Sequence, residues 1–116
     1  MDPGQVGSMR DCLDGFLEDL EASAMSEESK TVISHHVRQV LSALDERGIN
    51  SREAVEDAVH MTMGKAAMDE EVRKDLTTSG MGTRLSETMV FVYQTIGAAK
   101  DALLLAKTIG GFLADK

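Results

Sequence analysis

The chain reads as an all-α protein, an antiparallel bundle of four to five helices with a long apolar C-terminal helix as its spine. Three observations predict this. Apolar residues recur at threes and fours along most of the 116 residues. Aromatic residues make up only 3%, without any Trp, so the core must be aliphatic and Met-rich, whereas sheets favour aromatic and β-branched residues. Segment boundaries carry helix caps rather than hairpin turns.

Residues 1–8, MDPGQVGS, lack an apolar signal region and read as a flexible leader. Gly7-Ser8-Met9 even has the look of a cloning scar before a start at Met9. Residues 9–116 form one domain by length. Its first helix, about 9–24, places Met9, Cys12, Leu13, Phe16, Leu17, Leu20 and Ala24 on one face. Asp11, Asp14, Glu18 and Glu21 fall on the other. Cys12, alone and on the apolar stripe, reads as a structural thiol in a reducing, intracellular and cytoplasmic setting.

Ser26 before Glu27 and Glu28 caps a second helix, about 27–47, whose buried face is Val32, Ile33, Val37, Val40, Leu41 and Leu44. Arg47-Gly48 ends it. Asn50, three residues before Glu53, starts a third, about 51–67, across a loop short enough to force an antiparallel hairpin. That helix buries Val55, Ala58, Val59, Thr62, Met63 and Ala66. Met68, Val72 and Leu76 continue the apolar strip on a rotated face, so a break is expected, with Asp69 capping a short fourth helix over 69–77. Thr77 to Thr83, TTSGMGT, reads as the clearest linker.

The last helix, about 84–113, fits a heptad register. Leu85, Met89, Val92, Ile96, Ala99, Leu103, Ala106, Gly110 and Leu113 fill a and d, while Glu87, Gln94, Asp101, Thr108 and Asp115 fill f. A second apolar face includes Phe91, Ala98, Leu105, Ile109 and Phe112, leaving a narrow e/f strip for water. The longest uncharged run, Thr88 to Ala99, is twelve residues, too short for the roughly 18 a membrane span needs. Lys100 and Asp101 would each cost about 3 kcal/mol at a bilayer centre. No transmembrane span is expected. A straight helix from Leu85 to Leu113 would reach about 43 Å, longer than a compact domain of this size, so it must break, at Gly97 or Gly110-Gly111, or protrude. Protrusion would expose the seam of Leu85, Met89, Val92, Ile96, Ala99, Leu103, Ala106 and Leu113 to a second copy, the argument for a homo-oligomer.

The net charge of −8 is unevenly spread. Residues 1–28 hold eight acids against Arg10 alone, a net of −7, and the remainder is close to neutral. Nucleic acid is thereby disfavoured as a partner, since phosphate contact needs clustered Lys and Arg. No catalytic constellation is legible. His35 and His36 are adjacent and point about 100° apart on a helix, which prevents shared metal ligation. Asp57 and His60 have the i, i+3 spacing of carboxylate-bridged metal bundles but lack a second copy. His60, Met61, Met63 and Met68 would suit Cu(I) as ligands, yet they spread over different helix faces. Asp45 to Glu56 has the length of a calcium loop, but Arg47, Ile49 and Asn50 sit where ligands and a turn glycine belong. A P-loop and the Asp-Ser-Leu signature of acyl carriers are both missing. The expectation is a non-enzymatic interaction module without cofactor or metal, self-associating through its last helix. Asp11, Asp14, Glu18 and Glu21 would dock a basic protein partner. The alternatives are an apolar ligand or lipid held in a Met- and Ala-lined bundle, or peripheral membrane association through the C-terminal helix.

Overall fold

A computed structural model describes residues 3–45 and 51–97 of the chain. Among the described residues the fold is an all-α bundle of five helices: α1 (Pro3–Ala22), α2 (Glu27–Asp45), α3 (Ser51–Met68), α4 (Glu70–Ser79) and α5 (Met81–Thr95). No helix of the described residues is long and apolar enough to cross a membrane.

The register of the helices follows from a few cross-links. Arg10, in the middle of α1, pairs with Asp45 at the end of α2, and Lys30 Nζ, near the start of α2, donates to the Glu21 carbonyl near the end of α1, so the two run antiparallel. The Thr62 hydroxyl reaches the His36 carbonyl at 3.3 Å across the α2–α3 hairpin. Tyr93 contacts His60, and Arg52 reaches the Gly97 carbonyl at 3.2 Å, which sets α5 antiparallel to α3. Arg84 of α5 pairs with Asp19 of α1 and closes the ring of helices.

One continuous core fills the interior. Met9, Leu13, Phe16 and Leu20 of α1 face Ile33, Val37, Val40 and Leu44 of α2, Val55, Val59, Met63 and Ala66 of α3, Val72 and Leu76 of α4, and Leu85, Met89, Val92 and Ile96 of α5. Each large aliphatic or aromatic side chain removed from water contributes about 1.5–3 kcal/mol. The buried polar groups are satisfied: Thr62 donates to Ala58 O and His36 O, and Thr88 donates to Arg84 O.

Several expectations are corrected by the fold. α1 begins at Pro3, inside the segment read as a flexible leader, and Val6 packs against the core. Proline is tolerated in a first helical turn because its missing N–H has no partner there anyway. The helix stops at Ala22, leaving Ala24 exposed, and Cys12 is half-buried rather than buried. TTSGMGT is almost entirely helical. Thr77 and Thr78 donate back to the Arg73 and Lys74 carbonyls and carry α4 to Ser79, and α5 starts at Met81. Gly80 alone makes the turn, at φ 81°.

Asp69 does cap α4, accepting from the Val72 backbone N–H at 3.2 Å. The reorientation it causes buries Val72 and Leu76 but leaves Met68 83% exposed, outside the strip assigned to it. The last helix starts earlier than expected, at Met81, and its expected course beyond Gly97 lies outside the described residues. α5 ends at Thr95, and Gly97, one of the two foreseen break points, adopts φ 89°. Its 15 residues span about 22 Å, well within the 38 Å long axis of the fold. Leu85, Met89, Val92 and Ile96 are consumed by the internal core, so these four cannot also face a second copy. Around that stripe α5 buries Thr88 and Tyr93, not Phe91, which remains 37% exposed. The wet strip therefore keeps the f positions Glu87 and Gln94 but takes in Phe91 at c, while Tyr93 at e is buried. Ala98, Ala99, Leu103, Leu105, Ala106, Ile109, Phe112 and Leu113 lie outside the described residues, as do the Arg47-Gly48 terminus and the Asn50 cap.

Candidate protein-interaction surface

Because Met9, Leu13, Phe16 and Leu20 turn α1 inward, the residues half a turn away must face solvent. Asp11, Asp14, Glu18 and Glu21 are all exposed. Their spacings of three, four and three keep them in one stripe on the outer side of α1. None of the four forms an ion pair among the described residues. The bases nearest in sequence are engaged elsewhere: Arg10 on Asp45, and Lys30 on Glu27 and the Glu21 carbonyl.

This stripe does not serve helix stability. Like charges three or four residues apart cost about 0.2–0.5 kcal/mol per pair. Glu18 and Glu21 also sit in the last turns of α1, at the negative end of the helix dipole, where the Lys30 ammonium on the Glu21 carbonyl offsets only part of the cost. Glu27 and Glu28 differ, since they occupy the first turn of α2, where the dipole favours them.

Beside the stripe, a recess of about 220 Å³ opens between α1 and α2. Half-buried Leu17 is its accessible apolar part, over the buried Leu20, and Glu18 and Glu21 stand on the α1 side. Glu27, Lys30 and Arg38 lie on the α2 side, so that wall carries both an acid and bases. The recess offers a partner a shallow apolar foothold next to the carboxylates.

The fold fixes the neighbouring termini firmly. The Ser26 hydroxyl accepts from the Ser29 backbone N–H at 3.2 Å as the α2 cap and donates to Asp75 Oδ2 at 2.7 Å. Hydrogen bonds from the Ser29 and Ser26 side chains hold the Asp75 carboxyl below its ordinary range. The Val72 backbone N–H, with Lys65, does the same for Asp69.

The histidines occupy separate surroundings. His35 and His36 meet edge to face at 5.4 Å. Burial, followed by the like charges of His35 and Lys65, pushes the His36 pKa down. The His60 Nε2 is hydrogen-bonded to the Tyr93 hydroxyl, a contact between residues 33 positions apart that no local sequence signal announces. Asp57 is exposed one turn from His60. Among the described residues no group of three or more His, Cys, Asp or Glu side chains is placed to hold a metal ion. Met63 is buried in the core while Met61 and Met68 are exposed, so the methionines of HMTMGKAAM do not converge.

In comparisons with known proteins, no family model, no curated protein and no solved structure matched the chain.

Proposed function

We propose that the chain is a non-enzymatic helical protein-interaction module whose acidic α1 face, Asp11, Asp14, Glu18 and Glu21, docks a basic protein partner. The observation that carries this reading is the exposed stripe of four carboxylates, unpaired among the described residues and placed where it costs helix stability. A surface of that kind attracts cationic partners over a Debye length and speeds their encounter, an effect that salt removes. Half-buried Leu17, in the recess beside it, supplies apolar contact once the partner has arrived. The core uses the first half of the expected self-association seam internally, so the proposal is for docking of a different protein onto α1.

Stopped-flow association with a lysine-rich peptide tests it. The rate constant should fall steeply between low and physiological salt. Replacing Asp11→Asn, Asp14→Asn, Glu18→Gln and Glu21→Gln together should slow association at least tenfold at low salt. Rates insensitive to both salt and these four replacements would refute the assignment.

A further inference from the structure

A second outward face, on α3, is built from different chemistry. Met61 is 64% exposed and Met68 is 83% exposed, the two most exposed large apolar side chains among the described residues. They are seven residues apart, two turns, and therefore share one side of α3 about 10 Å apart. Gly64 lies between them, and a Cβ added there would meet nothing within 4 Å. The result is a low saddle between two flexible thioethers on a face that no other described helix covers.

Carboxylates flank the saddle along the chain, and on α4 they lie beside Lys74. Glu53 and Asp57 precede it on α3, and Glu70 and Glu71 follow Met68 at the start of α4. All four are exposed and make no ion pair among the described residues. Lys65, the base beside the methionines, is held by Asp69 at 3.2 Å. Exposed methionines adapt their shape to a range of apolar side chains. An amphipathic helix meets such a face through apolar residues at i, i+3 or i+4 and i+7.

We propose that the Met61–Gly64–Met68 face of α3 is a docking site for a basic amphipathic helix of a protein partner. The apolar side of that helix lies over Gly64 between the two thioethers, and its Lys or Arg residues meet Glu53, Asp57, Glu70 and Glu71. The inference rests on the proposed basic partner and gives it a second, apolar contact surface distinct from α1.

The test titrates a fluorescent peptide into the full chain, using a ~18-residue helix of Leu and Lys with its leucines on one side. The full chain with Met61→Gln and Met68→Gln, changes at exposed positions, should bind it at least tenfold more weakly. The methyl resonances of Met61 and Met68 should move on binding to the unaltered chain. Neutralising the four α1 acids should abolish the faster association of a leucine-free lysine peptide while leaving the methionine-dependent binding in place. Equal binding by the unaltered and Gln-substituted chains overturns the α3 site without touching α1. So does light scattering in which Met61→Gln and Met68→Gln dissolve a dimer, which would give the face to a second copy.

Discussion

The outward faces of α1 and α3 are both solvent-facing sides of helices whose inner sides are fully committed to one core, yet they carry opposite chemistry. On α1 the outer stripe is four carboxylates that repel one another, two of them near the negative end of the helix dipole. On α3 it is two bare methionines on either side of a glycine, apolar area left in water. Neither arrangement is what stability alone would choose. A surface Glu–Lys alternation on α1, or an Ala in place of Gly64, would suit the isolated fold better. The comparison separates what the core requires from what the surface is free to carry.

Breaking the core should give the largest effect. Phe16→Ala removes a fully buried ring on the inner side of α1 and should cost about 3–5 kcal/mol in urea unfolding. Neutralising all four acids on the outer side of the same helix should change stability by no more than about 0.5 kcal/mol per site, with any net change in the stabilising direction. Should the outer replacements cost as much as Phe16→Ala, the division of α1 into two independent faces would be wrong.

Next come the turns and caps. Gly80→Ala forces a side chain into φ 81° and should cost about 1–2 kcal/mol. Ser26→Ala removes the α2 cap and a donor to Asp75, and should cost about 1 kcal/mol. Tyr93→Phe deletes the hydroxyl bonded to His60, again at about 1 kcal/mol, because His60 is exposed and water can take over its side of the bond.

On α3, Gly64→Ala sharpens the contrast in the other direction. The position is helical and open, so Ala should raise stability by about 0.5–1 kcal/mol in the same urea assay. Replacing Met61 or Met68 by Gln should leave unfolding within about 0.5 kcal/mol of the unaltered chain. A larger loss at either methionine would mean that the thioether is packed against something.

The smallest effects are those of pH. His36 has a lowered pKa in the fold, so below its ordinary value of 6.5 the unfolded chain takes up the proton first. Its contribution is complete above 6.5 and erodes as pH falls below it. Asp69 and Asp75 are also lowered, from 3.8, so what they add is present above that value and is lost as pH drops through it towards their folded values. Urea midpoints should therefore be flat near neutrality, dip modestly below about 6.5 and fall again below about 4. His36→Gln should remove the first step and leave the second.

How much of this was legible in the sequence depends on how local the signal was. The inner faces of α1 and α2 were readable because Met9, Leu13, Phe16, Leu20 and then Ile33, Val37, Val40, Leu44 keep helical period with polar residues between them. The Asp69 cap was readable because one side chain accepts from a backbone N–H three residues on. The acidic stripe followed from the same period. Glycines were read unevenly, because a helix interior and a left-handed terminus use the same residue. Gly97 was foreseen as a break, whereas Gly80 was read as part of a seven-residue linker although it alone makes the turn between two helices. The heptad pattern ran on past Thr95, where α5 ends, and Gly97, which takes a positive φ. Exposed Met68 was hidden by the Asp69 turn, which changes the side of the chain that faces inward. The Tyr93–His60 bond joins distant residues, and periodicity holds no information about it.

The most direct test of the account is a backbone amide NMR titration of the full chain with a lysine-rich, leucine-free peptide at low salt. The account predicts shifts concentrated on Asp11, Asp14, Glu18, Glu21 and the rim of the α1–α2 recess, which disappear when salt is raised. Shifts spread evenly over every acidic residue, or centred on Glu28, which lies outside both the stripe and the recess, would contradict it.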